Sequence, residues 1–176
     1  MSLQELGSLG EFIGGIAVLV TLIYLAVQLR QGNQLNRSAS IRTFMHEYNE
    51  TLAQLKDPGF AKLLRYGSKN FDGLSRNDQA RVAVWLEQVL RTGLAGSFTD
   101  PKGENPVTHH VDVTFATLVR LPGFQQWWRR YSAPYEIIAP DYVRRVEELA
   151  EPFTSVYEFC PWMEPTDEEL REWASS

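Results

Sequence analysis

Between Gly10 and Gly32 the chain reads GEFIGGIAVLVTLIYLAVQLRQG, and its eighteen residues from Phe12 to Leu29 carry no charge. As a helix rising about 1.5 Å per residue, this run reaches roughly 27 Å, close to the ~30 Å hydrocarbon core of a bilayer. Three readings compete: a membrane span, a cleaved signal and a helix buried in a soluble core. A secretory signal wants a basic leader and a small-residue cleavage site. The leader MSLQELGSLGE carries only acidic side chains, and no A-x-A pattern follows it. A helix on a core surface keeps a polar stripe, whereas polar sequence resumes here only at Gln28. The expectation is a single N-terminal span. Arg30, Arg37 and Arg42 follow it and no Lys or Arg precedes it, so the remainder is expected in the cytoplasm and the short N-terminus outside.

A second pattern runs through the same stretch. Gly7, Gly10, Gly14, Ala17, Thr21, Tyr24, Gln28 and Gln31 fall on the a and d positions of one heptad register, and all are small or polar. Gly10 and Gly14 also form a G-x-x-x-G pair. In lipid, apolar side chains gain nothing by leaving the acyl chains. Helices therefore associate through close backbone approach at small residues and through interhelical hydrogen bonds. The bulky Phe12, Ile13, Ile16, Leu19 and Ile23, with Ala26, lie on other faces. The stripe Gly7–Gln28 is the candidate packing surface, and its 3.5-residue period implies left-handed crossing. Its partner is a second copy or another membrane subunit.

Bulk composition excludes several alternatives. A net charge of −5 argues against non-specific nucleic-acid binding, which needs a basic surface. One cysteine, Cys160, rules out an intrachain disulfide. Charge is uneven: residues 30–140 hold 14 basic and 10 acidic side chains, whereas 141–176 hold 3 and 10. The segment after the apolar run would favour an anionic inner leaflet, at about 1 kcal/mol per nearby Lys or Arg. The acidic tail would point away from the membrane.

Beyond Leu29 the periodicity is helical. Leu35, Ile41, Met45, Tyr48, Leu52 and Leu55 recur at helical spacing, so the span continues as a long helix to Lys56, with Gly32-Asn33 a weak point. Asp57-Pro58-Gly59 ends it, and a short helix covers Phe60 to Tyr66. Ser75-Arg76-Asn77-Asp78 resembles a capping box that opens a helix with Val82, Trp85, Leu86, Val89, Leu90 and Leu94 on its apolar face. A Pro- and Gly-containing loop spans 99–105. Further helices are expected over 106–121, 123–131 and 141–151, and a last one after Thr166. VDVTFATLV (Val111 to Val119) is β-branched enough to suit a strand. DPGFAKLLRYGS (57–68) and LPGFQQWWRRYS (121–132) echo one another, which suggests either a duplicated hairpin or one turn chemistry used twice.

Candidate chemistry is thin. His109-His110-Val111-Asp112 is the only cluster resembling metal ligands, but adjacent histidines on a helix diverge by about 100° and cannot share one ion unaided. Cys160 lies in EFCPWME, among acidic and aromatic residues that raise a thiol pKa. No phosphate-binding loop, dinucleotide fingerprint or H-E-x-x-H pattern occurs. No catalytic residue, metal ligand or cofactor is assigned. Trp127-Trp128-Arg129, together with Trp85, are candidates for a ligand or interface role.

The run LGEFIGGIAVLVTLIYLAVQLRQ resembles the opening of a group of uncharacterised bacterial single-span proteins with a Gly-Glu-Phe start, a Thr-Leu-x-Tyr-Leu-Ala centre and a Gln-x-Arg-Gln exit. These elements are Gly10-Glu11-Phe12, Thr21 to Ala26 and Gln28 to Gln31 here. Similar proteins carry an Asp-Pro turn and a later Pro-Gly…Trp-Trp segment, matched by Asp57-Pro58 and by Pro122-Gly123 with Trp127-Trp128. Gly32 departs from their usual Asn, and nothing beyond Pro152 has a counterpart. The resemblance implies a membrane-anchored helical domain and carries over no catalytic residue.

The expected protein is all-α. Residues 1–31 form the tail and span, 32–151 a cytoplasmic helical domain, and 152–176 an acidic extension with a short helix. The expected role is that of a non-enzymatic accessory or scaffolding subunit in the inner membrane. Alternatives are a membrane-anchored small-ligand sensor using the tryptophans, or a tethered metal-dependent enzyme using His109, His110 and Asp112.

Overall fold

The computed structural model describes residues 3–100, 102–151, 157 and 160–175; within the first helix, the side chains of 3–6, 8–10, 34 and 37 lie outside that description. Every regular element among the described residues is helical, Val111–Leu118 included, since packing on both sides overrides its β-branched composition. The chain divides into two compact units, Met1–Arg42 and Thr43–Ser176.

The first unit is helix α1, which starts at Leu3 and is assigned through Ala53. Helical backbone continues across Gly32-Asn33, the expected weak point. From Phe12 to Leu29 the large apolar side chains are 47–68% exposed. A helix of a soluble core would bury them. This segment is long and apolar enough to cross a membrane, with mean hydropathy 2.3 in its most apolar window.

The second unit is built from short helices with readable boundaries. A 3-10 turn, Gln54–Lys56, leads into α2 (Pro58–Lys69), where Asp57 caps by accepting from the Gly59 and Phe60 amides at 2.8 and 3.1 Å. Helix α3 (Arg76–Thr99) begins at Ser75, whose hydroxyl accepts from the Asp78 amide at 3.3 Å. Then follow α4 (Pro106–Leu118), α5 (Pro122–Tyr131), α6 (Ala133–Ile138) and α7 (Pro140–Ala150). Each of these four carries proline in its first turn, where the missing N–H costs nothing. Helix α6 has no counterpart in the sequence-based expectation. Its six residues are too few to show a period.

The main core joins Leu64 of α2, Trp85 and Leu86 of α3, Phe115 of α4, Phe124 of α5 and Val146 of α7. A smaller cluster joins Phe44 and Tyr48 to Val111. The echoed segments become α2 and α5, which pack on each other without two-fold equivalence: Gly123 of α5 sits against the backbone of α2, whereas its counterpart Gly59 is exposed.

The C-terminal segment differs from a free extension. Residues 152–156, 158, 159 and 176 lie outside the described set, but Cys160 and Met163 are buried in the main core. The last helix, α8 (Asp167–Ser175), lies on α2. Thr166 and Glu169 form a reciprocal cap, with hydroxyl and carboxylate each accepting the other's amide at 3.2 and 3.0 Å. Glu169 also accepts the Arg65 guanidinium through two nitrogens, Lys62 pairs with Glu172, and Trp173 stacks on Tyr66 with centroids 5.4 Å apart. The acidity of the tail is thus partly complementary to a basic face of α2.

Candidate functional site

The candidate packing stripe lies wholly on α1, at positions spaced three and four residues apart. Those spacings keep Gly7, Gly14, Ala17, Thr21, Tyr24 and Gln28 on one face of a helix; the Gly10 side of the stripe lies outside the described residues. A methyl group added at Gly7 or Gly14 would meet no atom within 4 Å. The polar members bond to one another. The Thr21 hydroxyl donates to the Ala17 carbonyl at 2.8 Å, and Gln28 Nε2 donates to the Tyr24 hydroxyl at 2.6 Å. Both bonds run along the stripe itself. Such i, i+4 bonding lets polar side chains enter an apolar medium without orphaned donors. It also leaves the Tyr24 O–H and Gln28 Oε1, a donor and an acceptor, on the same face.

The aromatic candidates separate. Trp85 is buried, its indole N–H donates to the Thr51 carbonyl at 3.1 Å, and one side of it lines an apolar cavity of about 380 Å3. Trp127 and Trp128 pack on each other with centroids 6.2 Å apart inside the core, and Trp128 also packs edge-on against Phe115. Arg129 is exposed at the surface near Glu147. Trp85 and Trp128 line different pockets among the described residues.

The histidine cluster separates as well. His109 and His110 are exposed, while Asp112, two residues on, is 1% exposed. Among the described residues no three His, Cys, Asp or Glu side chains are placed to hold a metal ion. Asp112 instead faces Arg145 Nη1 of α7 at 3.4 Å. Burial raises its carboxyl pKa, and the guanidinium partly opposes that rise. Its Oδ1 and the Tyr142 hydroxyl are both buried without a hydrogen-bond partner, and burial pushes the Tyr142 phenol well above its ordinary value. Burial also raises the Cys160 thiol pKa, which disfavours its thiolate.

Sequence reading missed Tyr142, Arg145 and Gly93, the glycine that makes room for Tyr142. A Cβ on Gly93 would fall 1.9 Å from the Tyr142 hydroxyl and 3.2 Å from Asp112 Oδ1. The available signal was an unexplained glycine inside a strong helical pattern, which costs about 1 kcal/mol relative to alanine unless packing requires it.

Compared with models of known protein families, with curated proteins and with solved structures, the chain has no match.

Proposed function

We propose that this chain is a non-enzymatic, single-span subunit of the inner membrane that self-associates through the stripe from Gly7 to Gln28. Its helical domain, Thr43–Ser176, would then serve as a cytoplasmic scaffold. The observation that carries the reading is the charge-free helical run Phe12–Leu29, long and apolar enough to cross a membrane, with its large apolar side chains 47–68% exposed. In water that surface far exceeds what soluble monomers leave open, so a bilayer is the fitting medium. Orientation follows from Arg30, Arg37 and Arg42 after the run. Two copies meeting at Gly14 would approach closely, and the Tyr24 O–H of one copy would find the Gln28 Oε1 of the other.

Two measurements test this. The full chain should stay in the membrane pellet after alkaline carbonate extraction, and release into the supernatant would end the proposal. Cysteine crosslinking from a Ser8→Cys or Gln31→Cys variant should trap dimers. Gly14→Ile should abolish them by holding the helices apart, and crosslinking that persists unchanged would rule out the stripe.

A further inference from the structure

The cavity beside Trp85 is a slot with a chemical gradient. Helix α4 supplies one wall through His110, Thr114 and Leu118, which sit on successive turns of one face. That wall passes from imidazole through hydroxyl to isobutyl over about 12 Å. Tyr48, Leu52 and Leu55 also line the slot, a phenol followed by two isobutyl groups. Trp85 and Val89 of α3 form the floor, and Cys160 with Trp162 close one side. The volume, about 380 Å3, is the room of roughly a dozen waters and falls among small-molecule cavities.

The polar hydrogens of the interior are already used. The Trp85 indole N–H bonds the Thr51 carbonyl at 3.1 Å, and the Thr114 hydroxyl bonds the His110 carbonyl at 2.8 Å. The Tyr48 hydroxyl is within reach of Thr114. A guest with polar atoms along its body would lose its hydration with nothing in exchange. A guest with an apolar body and one polar end loses nothing. His110 lines the slot and is exposed, so its imidazole can donate to an anionic head that stays partly hydrated.

We infer that this slot binds a medium-chain carboxylate, its alkyl chain lying along Thr114–Leu118 and its head at His110. The site is independent of the membrane stripe, so either reading can fail without the other.

Decanoate is the probe, used on the full chain in lipid nanodiscs and carrying 5-fluorotryptophan at its five tryptophans. The fluorine resonances of Trp85 and Trp162 should shift saturably, while those of Trp127, Trp128 and Trp173 stay in place. Equal drift of all five, or no shift, overturns the site, since partition into the bilayer or surfactant action would produce the former. His110→Ala should weaken decanoate about tenfold, the scale of one charge-assisted hydrogen bond, and leave neutral decanol unaffected. Equal weakening of both overturns the assignment of the head. Val89→Phe should fill the floor and abolish binding. If dispersion of the Trp127 and Trp128 resonances shows that this variant is unfolded, Leu52→Phe fills the slot from its partly exposed wall. A folded filler variant that still takes up decanoate like the parent refutes the slot.

Discussion

The glycines of the two units meet opposite surroundings. At Gly7, Gly14, Gly15 and Gly32 an added methyl would meet nothing within 4 Å. At Gly67, Gly93, Gly96 and Gly123 another part of the chain already stands where the methyl would go, at 3.3, 1.9, 2.8 and 1.9 Å. At these four positions of residues 43–176 the missing side chain is explained by a contact present in the monomer. At Gly7, Gly14, Gly15 and Gly32 it is not. The same contrast holds for polar groups: Thr21 and Gln28 bond within their own helix, whereas Asp112 and Trp85 bond across helices. One unit packs its glycines against its own helices, and the other leaves its described glycines open.

The sharpest way to break this contrast is at Gly123. The obstacle there is backbone, with the Gly67 carbonyl at 1.9 Å and the Phe71 and Asn70 amides at 2.8 and 2.9 Å from the new Cβ. Backbone cannot rotate aside as a side chain can. Gly123→Ala should therefore cost about 4 kcal/mol or more, by prying α5 from α2. Urea unfolding of the full chain, followed by tryptophan fluorescence, measures it. A variant as stable as the parent would mean that α2 and α5 do not meet this closely.

Gly93 should come next, because its obstacle is the end of a side chain. Tyr142 is held by burial and its hydroxyl has no bonding partner. Gly93→Ala should cost about 2–3 kcal/mol. Tyr142→Phe alone should be neutral or stabilising by about 1 kcal/mol, since it removes a buried hydroxyl that bonds nothing. Combined with Gly93→Ala it should recover part of the loss, and a double-mutant cycle gives the coupling. Strict additivity of the two changes would show that the hydroxyl is not what alanine strikes.

A smaller effect separates two carboxylates by sign. Burial raises the Asp112 pKa above its unfolded value, so the folded state binds that proton more readily. Its contribution then grows as pH falls through the window between the raised value and an ordinary aspartate. The Arg65 guanidinium lowers the Glu169 pKa, so its contribution is lost as pH falls through the range just below an ordinary glutamate. Asp112→Asn should make acid unfolding steeper than in the parent, and Glu169→Gln should make it shallower. Unfolding titrations between pH 7 and pH 3 read both slopes, and slopes that change in the same direction would contradict this assignment.

How far these features could be read in advance depended on how local their causes were. Ser75 and Thr166 announce helix starts because a cap acts within three residues, and Val82, Trp85, Leu86, Val89 and Leu90 announce a buried face because one helix carries the whole period. The run Phe12–Leu29 is visible for the same reason. Distant pairs were not visible. Asp112 looked like a partner of His109 and His110 because they are neighbours in sequence, yet its partner Arg145 is thirty-three residues away. Acidic residues of the tail looked solvated, and Glu169 and Glu172 found Arg65 and Lys62 on α2. The cavity beside Trp85 needs four separate segments, so no single stretch of sequence could announce it.

The least effect on folding is expected at Gly14, and there the contrast is tested most cleanly. With no atom within 4 Å, an isoleucine at this position displaces nothing in the chain. Unfolding of residues 43–176 in Gly14→Ile should match the parent within about 0.5 kcal/mol, the usual scale of an unconstrained surface change. If Gly14 is open because a second helix fills the space, the same variant should lose self-association in the bilayer while the domain melts unchanged. Energy transfer between labelled copies in nanodiscs or vesicles reads the association, and near-ultraviolet circular dichroism reads the domain. A fall in domain stability would mean that the chain itself uses this glycine, which would erase the distinction between the two units. Undiminished transfer with an unchanged domain would mean that the open space at Gly14 is simply lipid.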